Sequence, residues 1–147
     1  MPPLKFEPIL KSVVWGGEKI APFKGIVTDQ TQIGESWEIS GVKGNESVVA
    51  NGPDKGLTLS QMIDKYKGEL VGEKNYEIFG NTFPLLIKII DAAGNLSIQV
   101  HPDDAYANVH ENGSLGKTEC WYVLDCDEDS SLVVGHNAGS KEELTDM

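Results

Sequence analysis

The chain has 147 residues, a size that suits one domain with an apolar core of its own. Its 12 basic residues, all lysine, face 23 acidic ones, which leaves a net charge of −11. That balance argues against nucleic acid or an anionic membrane surface as partner, because both require a positive face to neutralise phosphates; an anionic small molecule would need a local cationic pocket instead.

The opening MPPLKFEPIL lacks the basic segment and apolar stretch of a signal peptide. No apolar run reaches the ~18 residues a membrane span requires. A cytoplasmic location is therefore expected, with Cys120 and Cys126 as reduced, buried or half-buried thiols.

Along the chain, Trp15-Gly16-Gly17 reads as a turn with an aromatic plug. Ser36–Ser40 reads as a strand in which Glu38 shares a face with Ser36 and Ser40, opposite Trp37 and Ile39. Glu46–Ala50 is a further strand candidate. Thr58 and Gln61 then form a capping-box pattern, and Leu59, Met62, Ile63, Tyr66 and Leu70 come after it at helical spacing, with Gly68 and Gly72 as stops. Leu85–Asp91, Leu96–His101, Glu119–Leu124 and Ser131–Val134 complete the expected strands, rich in β-branched or aromatic residues and bounded by Gly, Pro or Asn. Their spacing suits an antiparallel sandwich or barrel better than a βαβ fold. Ser140 and Glu143 repeat the capping-box pattern and Leu144 begins an apolar stripe, so a helix starting at 140 stops about one turn in. A fragment of a longer protein is the expectation.

Chemistry concentrates near the middle. Leu96-Ser97-Ile98-Gln99-Val100-His101 alternates strictly, which puts Ser97, Gln99 and His101 on one face. That face either meets solvent or gathers a ligand. Pro102-Asp103-Asp104 ends the segment, with Asp103 or Asp104 able to cap a short element directly after it. Gly116-Lys117-Thr118-Glu119 then places a carboxylate at the head of an apolar stretch. The amide oxygen of Gln99, the imidazole of His101 and the carboxylate of Glu119 together suit a borderline divalent ion such as zinc. Lys88, inside Leu85-Leu86-Ile87-Lys88-Ile89-Ile90, needs a partner or a polar cavity unless it snorkels to an edge. With Lys117 it offers local positive charge.

These segments, taken in order from Trp15-Gly16-Gly17 through Gly34-Glu35-Ser36-Trp37-Glu38-Ile39-Ser40, Phe83-Pro84-Leu85-Leu86-Ile87-Lys88 and Gln99-Val100-His101-Pro102-Asp103-Asp104 to Gly116-Lys117-Thr118-Glu119-Cys120-Trp121-Tyr122, resemble the signatures of the type I mannose-6-phosphate isomerases. The likeness runs from about residue 4 to the end and suggests the N-terminal part of a short bacterial form. The resemblance implies a mainly β fold, a cupin-type double-stranded β-helix or jelly roll with a few short helices, incomplete in this chain. It implies zinc held by Gln99, His101 and Glu119, with a fourth ligand from a histidine beyond residue 147; His110 and His136 fall outside the ligand pattern. It further implies that Ser97, Lys88 and Trp15 bind substrate, with Ser97 and Lys88 toward the phosphate. Lys117 would assist charge stabilisation beside the metal, and Glu38 would order the pocket.

The implied reaction interconverts mannose 6-phosphate and fructose 6-phosphate, so a small sugar phosphate is the expected partner. The alternative is a non-catalytic metal- or sugar-binding cupin module. An iron dioxygenase fits less well, since such sites favour a richer histidine set.

Overall fold

The computed structural model describes residues 3–145 and divides the chain into two compact units, one running to Leu96 and the other beginning at Ser97.

The first unit is built on an antiparallel three-stranded sheet of order β1-β2-β3, with β1 at Ile9–Gly17, β2 at Ile33–Ser40 and β3 at Leu86–Ile90. β2 and β3 occupy the expected strands. β1 does not: Trp15, Gly16 and Gly17 form the end of a strand rather than a free turn. Glycine there serves close approach, since a Cβ on Gly16 would collide with the backbone carbonyl of Gln32 and one on Gly17 with the carboxylate of Asp91. Asp91 uses that space to accept the Lys19 N–H through Oδ2 at 2.6 Å, tying the start of α1 (Ile20–Lys24) to the end of β3. The Trp15 carbonyl accepts the N–H groups of Ala93 and Gly94 at 2.9 and 3.1 Å, which fixes the same corner from the other side.

The sequence of α2 (Leu59–Tyr66) explains its start and its burial. Thr58 Oγ1 accepts the Gln61 N–H at 3.3 Å, and Gln61 Oε1 accepts the Thr58 N–H at 2.9 Å, so two N-terminal donors are satisfied reciprocally. Leu59, Met62 and Ile63, at i, i+3 and i+4, are buried together with Ile20, Ile33 and Val49 to form the core. Side chains of this size contribute roughly 1.5–3 kcal/mol each when fully buried. The helix breaks earlier than its apolar stripe predicts, because Lys67 takes φ 49° and Gly68 opens a separate turn, α3 (Gly68–Val71). Gly72 ends that turn at φ 89°, and α4 (Glu73–Phe79) comes next.

Glu46–Ala50 is not a strand. It makes isolated bridges only, Phe6 with Val49 and Val48 with Thr58, although backbone bonds tie it to Lys5 and Glu7 on one side and to Gly56, Leu57 and Leu59 on the other.

The second unit contains α5 (Asp104–His110) and α6 (Lys141–Thr145). The strands expected at Leu96–His101, Glu119–Leu124 and Ser131–Val134 are irregular here, since a strand exists only through ladder bonds to a neighbour and none pairs with them among the described residues. Ile98, Val100, Tyr122 and Val134 are each more than four-fifths exposed. Cys120 and Cys126 are exposed free thiols rather than buried ones, for the same lack of a covering layer. The Ser140 helix start is present, with Ser140 Oγ accepting the Glu143 N–H at 3.2 Å. Its expected last residues, Asp146 and Met147, lie outside the described residues.

Among the described residues the β part is this small antiparallel sheet, accompanied by the expected short helices. No helix among them is long and apolar enough to cross a membrane.

Candidate metal and sugar site

In the second unit the motif Gln99-Val100-His101-Pro102-Asp103-Asp104 holds its geometry without a ladder. Ser97 and Gln99 keep to one side of the extended backbone, and Gln99 Nε2 donates to Ser97 Oγ at 3.3 Å. Asp103 caps α5 by accepting the Tyr106 N–H at 2.8 Å. Asp104 Oδ1 accepts the Gly116 N–H at 2.8 Å, and the Pro102 carbonyl accepts the Lys117 N–H at 3.0 Å. The Gly-Lys-Thr-Glu stretch is thereby held against the His-Pro-Asp-Asp stretch. The result is a contact of 2.7 Å between His101 Nε2 and Glu119 Oε2, two side chains about one-quarter exposed.

Of the three expected ligands, then, His101 and Glu119 are brought together, while Gln99 is engaged with Ser97. The described residues hold no group of three or more His, Cys, Asp or Glu side chains that could bind a metal. The donors present nevertheless fit zinc in kind: an imidazole nitrogen and a carboxylate oxygen meet, and the bond from the Gln99 amide nitrogen leaves its carbonyl oxygen as a donor. Lys117 is fixed by its backbone and exposed. His110 stacks on Tyr106 with ring centroids 4.3 Å apart, and His136 is exposed in a loop, so both are ordinary surface histidines.

In the first unit, Lys88 finds a partner rather than an edge. Its Nζ donates to Glu35 Oε1 at 2.7 Å, and Trp37 Nε1 donates to Glu35 Oε2 at 2.7 Å. Lys11, opposite Glu35 in the register, places Nζ 4.9 Å from the Trp37 ring centroid. Glu38 belongs to a different cluster: Ser36 Oγ donates to Glu38 Oε1 at 2.6 Å, and the Lys24 ammonium pairs with the same carboxylate. Adjacent residues of β2 point to opposite sides, so the Lys88 cluster and the Glu38 cluster occupy opposite faces of the sheet. Trp15 sits on the Glu38 side, its ring where a side chain on Gly34 would be.

Sequence reasoning missed Glu35 and Lys24. Glu35 carries a signal, because alternation puts it beside Trp37 and across from β3. Lys24 carries none, since α1 is five residues long with Pro22 inside and reads as a loop.

One family model, "Phosphomannose isomerase type I, catalytic domain", matches residues 4–129. The chain is 48% identical over 145 residues to mannose-6-phosphate isomerase ManA of Bacillus subtilis, covering 99% of this chain and 44% of that protein. A mannose-6-phosphate isomerase of Streptococcus mutans is 43% identical over 149 residues, again with 44% of its length covered. Among solved structures, the mannose 6-phosphate isomerase of Bacillus subtilis superposes with a TM-score of 0.83 at 42% identity, over 99% of this chain and 45% of that one. The chain thus spans about 44% of the length of these curated relatives. With most of its residues matched, the chain belongs to the type I phosphomannose isomerase family.

Proposed function

We propose that this chain carries part of the active site of a cytoplasmic, zinc-dependent aldose-ketose isomerase that interconverts mannose 6-phosphate and fructose 6-phosphate on a cupin fold. The observation that carries the reading is the 2.7 Å contact of His101 with Glu119 inside a family motif. Zinc would be held by Gln99, His101 and Glu119, with a further histidine expected beyond residue 147. When bound, it supplies a Lewis acid for the substrate carbonyl.

The reaction removes a proton from C2, returns one to C1 and shifts the carbonyl from C1 to C2, so negative charge builds on the carbonyl oxygen on the way. Lys117 comes directly after the Gly116 pivot and precedes Glu119, and its ammonium stabilises that charge. Ser97 serves the phosphate by its hydroxyl, while the charge of Lys88 is matched by Glu35 on the sheet face opposite Glu38. In the first unit, Trp15 offers an apolar surface and Glu38, fixed by Ser36 and Lys24, orders the same side of β2.

The test is isomerase activity of the longer polypeptide of which this chain is proposed to be a part. Activity that falls with chelation and with His101→Ala supports the reading, whereas full activity after complete metal removal overturns it. The 147-residue chain alone is expected to be inactive, and turnover by it would refute that expectation.

A second reading, a non-catalytic metal- or sugar-binding module, is favoured by the engagement of Gln99 with Ser97. Sugar-phosphate binding without turnover in the longer polypeptide would select it.

A further inference from the structure

The two aspartates that come after His101 and Pro102 do different work. Asp103 caps α5 through the Tyr106 N–H. Asp104 leaves its own helix and accepts the N–H of Gly116, twelve residues away, at 2.8 Å. Beside that bond, the Pro102 carbonyl accepts the Lys117 N–H at 3.0 Å. No side chain fits at Gly116: a Cβ there would stand 2.6 Å from the carbonyl carbon of Asp103 and 2.6 Å from the Asp104 nitrogen. The stretch bearing Glu119 is thus pressed directly on the Asp103–Asp104 peptide, and Asp104 adds a side-chain bond to this clamp.

We infer that Asp104 is a positioning residue whose carboxylate, acting through Gly116, sets Glu119 against His101. An acceptor with full negative charge makes this bond stronger than a neutral one. A helix-terminal carboxylate that merely complements the α5 dipole would have no such effect on residues 116–119. This role belongs to the metal-free chain and rests on the zinc reading only for its second readout.

The experiment compares Asp104→Ala, Asp104→Asn, Asp103→Ala and Gly116→Ala in the 147-residue chain. The first readout is metal-free: hydrogen exchange at the Gly116 and Lys117 amides, together with the NMR contact between the His101 ring and the Glu119 side chain. Asp104→Ala is expected to speed Gly116 exchange at least about tenfold and to abolish the contact, by loss of the bond that protects it. Asp104→Asn keeps an acceptor oxygen and restores most of both. Gly116→Ala reproduces the loss with no change of charge, and Asp103→Ala weakens α5 protection while Gly116 stays protected.

The second readout is titration of the longer polypeptide with cobalt(II) as a zinc probe, since a further ligand is expected beyond residue 147. Asp104→Ala is expected to weaken binding about 10- to 100-fold, the usual effect of removing an outer-shell partner. Unchanged Gly116 exchange and an intact His101–Glu119 contact in Asp104→Ala would overturn the inference. So would failure of Asp104→Asn to restore them, which would show that an acceptor oxygen at this position is not what holds Gly116. If the longer polypeptide takes up no cobalt while the exchange and contact results hold, the positioning role stands and the metal reading fails.

Discussion

The Lys88 ammonium lies 2.7 Å from Oε1 of Glu35, in a pair whose side chains are 21% and 16% exposed. The two residues stand 53 positions apart and meet because β2 and β3 are aligned antiparallel. Trp37 completes the cluster, so both oxygens of Glu35 are engaged. A half-buried ammonium deprived of such a carboxylate becomes an uncompensated charge, a costlier state than losing both partners.

Glu35→Ala is therefore expected to lower the stability of the chain by about 1–3 kcal/mol, read as a fall in the urea midpoint. The double substitution Glu35→Gln with Lys88→Met should recover most of that loss, since no buried charge remains. Equal destabilisation by the single and double variants would show that the charge is not what matters.

Asp54 supplies a pH dependence. It is buried in the loop before α2, where Lys65 Nζ and the Tyr66 hydroxyl donate to its two oxygens at 2.6 and 2.7 Å. The hydrogen bond from Lys65 is the first cause that holds its carboxyl below the ordinary 3.8, with Tyr66 second. A depressed folded pKa means that the contribution is complete above 3.8 and disappears as the pH falls through the lower folded value. Lys65 is raised above 10.5, chiefly by its hydrogen bond to Asp54, so its share is complete below 10.5 and disappears as the pH rises through the higher folded value. The stability gap between the parent chain and Asp54→Asn should thus stay constant through neutral pH and close below about pH 4 in urea melts. A gap that stays constant as the pH falls further and further below 3.8 would contradict this.

Gly16→Ala and Gly17→Ala probe the corner after Trp15. The first forces a methyl into the Gln32 backbone and the second into the Asp91 carboxylate, which holds the Lys19 N–H. Each should cost about 1–3 kcal/mol as overpacking, with Gly16→Ala the worse because backbone yields less than a side chain. Gly25→Ala, in open space at φ 64°, should cost about 1 kcal/mol from its left-handed backbone alone. Thermal melts of the three variants give the order.

His101→Ala and Glu119→Ala should each remove the zinc proposed for the longer polypeptide, about one ion per protein by metal analysis, because each would delete one of only a few proposed ligands. Retention of zinc by both variants would place the metal elsewhere.

The features legible in the chain before its fold is known are local ones. Thr58 with Gln61, and the stripe of Leu59, Met62 and Ile63, specify α2 because capping and 3.6-residue spacing act within a few residues. Alternation puts Ser36 and Glu38 on one side of β2, and their hydrogen bond bears that out. Leu96–His101 has the same alternation and no ladder, since alternation describes a strand's faces without supplying its neighbour. The Gln-Val-His-Pro-Asp-Asp and Gly-Lys-Thr-Glu motifs are sufficient to identify the family.

By itself, then, the sequence determined the caps, the apolar stripes and the order of motifs, because each depends on spacing along one segment. Tertiary structure alone decided that Lys88 pairs with Glu35 and Glu38 with Lys24, that the stripe of α2 is cut at Lys67, and that Asp104 reaches Gly116. Those outcomes depend on which backbones lie side by side. Register across a sheet and close approach at a glycine set that, and neither is written in the periodicity of a single stretch of chain.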